Sequence, residues 1–244
     1  MRLENLLKEI TDTPARVSEV FSSLQGEGLF VGKKHLFVRF TTCNLSCAYC
    51  DEAHKTATEG GLMTPEALLK VIIAIEQSDG PHHAVSLTGG EPLTQPLFLK
   101  KLLPSLKEKG FRTYLETNGT LPAALDGLIS NLDIIAMDIK LPSATGAGAF
   151  WEEHEEFLRT CQAKKVFVKV VITPDVRAAE VHRAIILVRR VNPEVPMILQ
   201  PVTDPAGINE TALRRIRDEF FPAAADVLED VRIMPQLHKI WQIR

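Results

Sequence analysis

"HLFVRFTTCNLSCAYC", residues 35–50, begins as an apolar run and ends in a loop that carries three cysteines. The first six positions predict a strand over 35–40, and its near-absence of polar residues predicts cover on both faces. Such a strand needs parallel neighbours, and five more apolar runs supply them. They are "AVSLT" (84–88), "FRTYLET" (111–117), "LDIIAMDIK" (132–140), "KVFVKVVIT" (165–173) and "VPMILQPV" (195–202). Helical patterns separate them. "TPEALLKVIIAIEQS" (64–78) has Thr64 as N-cap and Pro65 at the first helical position. "PLFLKKLLPSLKEKG" (96–110) is predicted to be disturbed at Pro104 and to end before Gly110. "PAALDGLISN", "WEEHEEFLRTCQ", "PDVRAAEVHRAIILVRR" and "NETALRRIRDEFF" complete the series, and "VRIMPQLHKIW" (231–241) forms a tail that can open as a strand. Six strand–helix units in strict alternation indicate an α/β fold with a parallel sheet. A doubly wound sheet and a barrel both fit this pattern. With no repeat, low-complexity segment or charged linker, the chain is predicted to form one domain over 1–244.

The chain has 244 residues, 45% of them hydrophobic and 24% charged, which is ample for a core. A net charge of -3 gives no basic footprint for nucleic acid or an anionic membrane. "MRLENLLKEITDTP" (1–14) does not read as a signal peptide, and no apolar run is long enough for a spanning helix. A cytoplasmic protein is expected. Its four cysteines then read as metal ligands or reactive thiols rather than disulfides. Cys161 stands alone in a helical stretch and reads as a small core residue.

Chemistry-bearing residues recur just past the strand ends. The first strand runs into Cys43, Cys47 and Cys50. "TGGEP" (88–92) follows the second, "ETNGT" (116–120) the third, "DIK" (138–140) ends the fourth and "QPVTD" (200–204) the sixth. In parallel α/β folds, that edge is where ligands bind. Three thiolates in C-x3-C-x2-C spacing can hold an iron–sulfur cluster with one open iron. With His54 they can instead form a closed Cys3His zinc site. The paired glycines of "TGGEP" and those of "SLQGEG" (23–28) suit close backbone approach to a ligand, and Glu91 can pair with an ammonium group. Glu91 can equally be an acidic residue at a helix start. Glu116 ends its strand pointing toward a shared pocket. Asp138 and Lys140 can form an internal pair or bind a ligand. Arg39, alone among apolar neighbours, needs a carboxylate partner, either internal or from an anionic substrate.

C-x3-C-x2-C after one strand and "GGEP" after the next resemble the radical S-adenosylmethionine superfamily. "FSSLQGEGLFVGKKHLFVRFTTCNLSCAYCD", "SLTGGEP", "ETNGT" and "PQLHKI" together resemble the 7-carboxy-7-deazaguanine synthase family within it, from about residue 17 to the C-terminus. The resemblance implies a partial, modified (β/α)6-type barrel, with a core over about 17–205 and a tail (206–244) that contributes to the active site. It implies a homodimer, a [4Fe–4S] cluster on the three cysteines, S-adenosylmethionine, Mg2+ and an electron donor such as flavodoxin or ferredoxin. The implied substrate is 6-carboxy-5,6,7,8-tetrahydropterin, which loses ammonia and contracts to 7-carboxy-7-deazaguanine, feeding queuosine or another deazapurine.

Carried over by position, Leu24, Gln25, Gly26, Arg39 and Thr88 would contact substrate, with Glu116, His238 and the carboxylate of Arg244 as further candidates. Tyr49, Cys50, Asp51, Gly90, Asp138, Ile139, Lys140 and the run Gln200, Pro201, Val202, Thr203 would line the S-adenosylmethionine site, with the loop of Glu91 beside it. The chain departs from the family at Glu52, where Thr or Ser usually ligates Mg2+. A carboxylate is also a hard oxygen ligand for that ion. Two other readings compete: a glycyl-radical-enzyme activase, and a non-catalytic module stabilised by zinc.

Overall fold

The structure is a computed structural model that describes residues 13–51 and 60–243. Eleven strands are seen among them: β1 (Ala15–Leu24), β2 (Lys34–Phe40), β3 (Gly61–Met63), β4 (Ala84–Gly89), β5 (Thr113–Thr117), β6 (Ile134–Asp138), β7 (Lys165–Ile172), β8 (Met197–Pro201), β9 (Thr203–Asp204), β10 (Gly207–Ile208) and β11 (Val231–Ile233). Nine form one sheet in the order β11-β8-β7-β6-β5-β4-β2-β1-β3. The run from β2 to β11 is parallel throughout. It contains all six predicted strands, and the tail does open as a strand, β11. The order has two ends, so the barrel is partial and open.

The sequence reading missed β1. Its residues, ARVSEVFSSL, bury only Ala15, Val17 and Phe21. It pairs antiparallel with β2 and β3 at the sheet edge, where one wet face is tolerated and the pattern loses its apolar continuity. The helix Pro65–Asp79 starts as expected, with the Thr64 hydroxyl accepting from the Ala67 amide. The helix Pro96–Glu108 runs through Pro104, where a disturbance is predicted, because its apolar stripe of Leu99, Leu102, Leu103 and Leu106 is fully packed. Cys161 is buried in the main core.

Alternation along the strands sorts the sheet into two faces. Val38, Leu87, Leu115, Met137, Val168 and Leu199 enter the main core, which the flanking helices cover. Their neighbours take the opposite face. Low on that face, Phe30, Ala84, Tyr114, Ile134, Ala136, Phe167 and Ile198 form a second apolar cluster. Higher up, toward the C-terminal strand ends, the same face carries Arg39, Thr88, Glu116, Asp138, Lys169 and Gln200. An aromatic plug below and a ring of polar side chains above define the site.

Candidate active site

A cavity of about 790 Å3 opens at the C-terminal edge, and all three clustered cysteines line it. Cys43, Cys47 and Cys50 are free thiols, and burial pushes Cys43 and Cys47 above the ordinary thiol range. The loop bearing them is tied down on several sides. Asn44 donates to Thr120 Oγ1 (2.8 Å) and accepts from Asn118 Nδ2 (2.9 Å), and the Ala48 amide donates to the Thr145 carbonyl (2.9 Å).

The glycines of "TGGEP" line the cavity and also pack against this loop. The amides of Gly90 and Glu91 donate to the carbonyls of Phe40 and Thr42, each at 2.7 Å. A Cβ on Gly90 would fall 2.1 Å from the Thr42 oxygen. Gly26 and Gly28 likewise make room for protein. Cβ atoms there would stand 2.5 Å from His238 and from the ring of Phe167.

Glu91 is fully buried and outside the cavity lining. Oε1 accepts from the Leu93 amide and the Thr117 hydroxyl, and Oε2 from the Asn118 amide. It is a strut between the loops after β4 and β5. Burial raises its pKa to about 7 against the opposing pull of those amides.

Two polar groups line the cavity, one around Glu116 on β5 and one around Asp138 at the end of the adjacent β6. In the first, Glu116 accepts from Gln25 Nε2 (2.9 Å) and from the Thr88 hydroxyl (2.6 Å). Arg39 sits nearby, 3.6 Å from Glu19 and over the ring of Phe21, so the internal carboxylate partner exists while the guanidinium still lines the cavity. In the second, Lys140 pairs with Asp138 (2.9 Å) and reaches the Tyr49 hydroxyl (3.2 Å). Burial lowers the Lys140 pKa, but Asp138, Tyr49 and Cys47 together outweigh it and hold the ammonium charged.

Lys169, which the sequence reading passed over, stands opposite Asp138 in the β6–β7 register, 3.6 Å from its carboxylate. Lys169 also bonds Glu27, another missed residue. Burial raises the Glu27 pKa, yet the neighbouring Lys169 prevails and brings it down to about 2. The signal that singled out Arg39, one charge in an apolar strand, was present in "VFVKVV" as well.

Other predicted residues fall where alternation sends them. Leu24, Asp51, Val202 and His238 line the cavity with those already named. Ile139 does not; it is fully buried in the main core, on the other side of the sheet from Asp138. Pro201 and Thr203 are also outside the lining, although Gln200 and Val202 between and beside them are in it. Glu52, His54 and Arg244 lie outside the described residues.

The donor set suits a cluster and a nucleoside-like cofactor. Three unpaired thiols share one wall, and thiolates are the usual ligands of iron–sulfur clusters. Asp138 Oδ1 and Gln200 Oε1 are buried acceptors with no hydrogen-bond partner among the described residues. Buried acceptors left open in this way call for donors such as ribose hydroxyls or an amino group. Among the described residues, no three His, Cys, Asp or Glu side chains group closely enough to hold a single metal ion.

A thiol loop at the C-terminal edge of a partial parallel barrel is the arrangement of one enzyme class. Residues 37–177 match the Radical SAM superfamily, and the chain belongs to it. Two curated relatives are 7-carboxy-7-deazaguanine synthases. The one from Geobacter sulfurreducens is 37% identical over 92% of this chain and 96% of its own. That from Methanopyrus kandleri is 37% identical over 92% of each. Within the superfamily, the chain belongs to the 7-carboxy-7-deazaguanine synthase family. The fold agrees with the crystal structure of QueE from Escherichia coli, which has a TM-score of 0.64, 22% identity, and coverage of 92% of this chain and 95% of that one.

Proposed function

We propose that the chain converts 6-carboxy-5,6,7,8-tetrahydropterin to 7-carboxy-7-deazaguanine with loss of ammonia, as a radical S-adenosylmethionine lyase of deazapurine biosynthesis. The carrying observation is that one cavity joins the three cysteines to the group formed by Arg39, Gln25, Thr88 and Glu116. Its volume lies in the upper part of the roughly 300–1,000 Å3 range of ligand sites, enough for two small molecules side by side. When bound, the cluster and S-adenosylmethionine supply a carbon radical able to abstract hydrogen.

The chain's own residues bind and orient. Cys43, Cys47 and Cys50 hold the cluster. Asp138, Lys140, Tyr49 and Gln200 hold S-adenosylmethionine, with the open acceptors of Asp138 and Gln200 taking its donors. Arg39, fixed between Glu19 and Phe21, meets the substrate carboxylate. Glu116, with each oxygen accepting one bond from the protein, keeps lone pairs for the N–H groups of the pterin ring. Phe37, Tyr114 and Phe167 give that flat ring an aromatic floor. Mg2+ at Glu52, a homodimeric state and a flavodoxin- or ferredoxin-type donor follow from family resemblance and belong to the same proposal.

The test is Arg39→Ala. Pterin binding should weaken at least about tenfold, the loss of a charge-assisted pair, while S-adenosylmethionine is still cleaved without coupling to product. Unchanged pterin affinity would remove the carboxylate-anchoring role.

A further inference from the structure

The first two cysteines are held by the body of the fold, through the Gly90–Glu91 amides, Asn44 and Ala48. Before the third, Tyr49 is likewise held by the body of the fold through Lys140, but on its far side the hold is different. Beyond the loop's own Cys50–Cys47 backbone bond, the bonds seen at Cys50–Asp51 among the described residues come from the C-terminal tail. Lys239 Nζ pairs with Asp51 Oδ2 at 3.1 Å, and Gln236 Nε2 reaches the same oxygen at 3.4 Å.

That tail is itself anchored deep in the site. The Leu237 amide donates to the Gly26 carbonyl at 2.9 Å, and Gln236 Nε2 donates to Glu27 Oε1 at 2.8 Å. Glu27 is in turn bonded to half-buried Lys169, and the His238 side chain covers Gly26 so closely that no Cβ fits.

We infer that the segment Gln236–Lys239 is a clasp that sets the third cluster thiol, with half-buried Glu27 as its anchor. Glu27, Gln236 and Lys239 are thus positioning residues that act on Cys50 through Asp51. An exposed Lys–Asp pair alone does little, because ordering two long side chains offsets the attraction. Here the backbone of the tail is already fixed at Gly26 and Glu27, so much of that ordering is done before Lys239 meets Asp51. Conversely, losing the Glu27 contact frees the whole segment and with it the grip on Asp51.

The inference concerns thiol geometry and stands or falls separately from the substrate assigned above. The test uses the full-length chain, both cluster-free and reconstituted. In Gln236→Ala/Lys239→Ala, which removes both side chains that reach Asp51, maleimide should label Cys50 of the cluster-free chain about three- to fivefold faster, the range such a pair can supply. Cys43 should keep its wild-type rate, and Lys239→Arg should behave as wild type. The reconstituted double variant should release iron to a chelator faster by a similar factor. In Glu27→Gln, hydrogen exchange at the Leu237 amide and labelling of Cys50 should rise together. Unchanged Cys50 labelling in the double variant overturns the clasp. So does equal acceleration at Cys43, which would mean general loosening, or a freed Leu237 amide with no change at Cys50.

Discussion

Gly90→Ala should lower the stability of the cluster-free chain by about 3 kcal/mol and also impair cluster uptake. The new methyl carbon would stand 2.1 Å from the Thr42 carbonyl oxygen and 2.5 Å from its carbon, where ordinary contact begins at 3.4 Å. The obstacle is backbone, so no side chain can swing aside. Relief requires the loop after β4 to retreat by more than an ångström, breaking the Gly90–Phe40 and Glu91–Thr42 hydrogen bonds. Two such bonds contribute about 0.5–1.5 kcal/mol each, and the overpacking adds about 1–3 kcal/mol. For a chain of this length that sum lowers Tm by about 6–12 °C. Gly127→Ala is the control, since nothing lies within 4 Å of its Cβ position and its backbone is right-handed helical, where Ala is tolerated. Thermal unfolding of both variants, with iron analysis after anaerobic reconstitution, makes the comparison. A Gly90→Ala chain that melts like Gly127→Ala and takes up full iron would refute the packing of the two loops described above.

Three further outcomes follow from particular groups. Glu91→Gln replaces an acceptor with an NH2 group opposite either amides or the Thr117 hydroxyl, and should lower stability by about 1–3 kcal/mol in urea unfolding; a wild-type midpoint would contradict the strut. Burial, with His83 and His82 adding to it, lowers the His35 pKa to about 3. Its stabilising contribution is therefore full above the unfolded value of 6.5 and is lost as pH falls from there toward 3, at up to about 1.4 kcal/mol per pH unit. His35→Phe should flatten the acid limb of a stability–pH curve by that slope, and an unaltered limb would show that His35 is not its source. Glu52→Thr should change the Mg2+ concentration that supports activity; an identical dependence would mean that the side chain does not touch the metal.

The parallel strands and the edge that carries the site could be read from sequence because buried strands are apolar and ligand loops are not. Cys43, Glu116 and Arg39 were found on those grounds and Thr88 through the family resemblance, and they share one cavity. What the sequence did not reveal depended on neighbours distant in the chain. The glycines of "SLQGEG" and "TGGEP" announce close approach, but a motif does not say what approaches; here it is His238, Phe167 and Thr42. Glu91 looks like a ligand until Thr117 and Asn118 are seen to occupy its oxygens. That the Ile139 side chain faces the core could have been supplied by alternation from Asp138. Lys169 and Glu27 are 142 positions apart, and only the fold brings them together.

The proposed reaction rests on product. Reconstituted protein, holding about four iron and four sulfide per chain as one [4Fe–4S] cluster requires, is incubated anaerobically with 6-carboxy-5,6,7,8-tetrahydropterin, S-adenosylmethionine and a reductant. The cavity and its residues predict 7-carboxy-7-deazaguanine, formed with loss of ammonia and absent from Cys43→Ala. S-adenosylmethionine cleavage with no deazaguanine from this pterin, or a chain that binds zinc in place of a cluster, would contradict it.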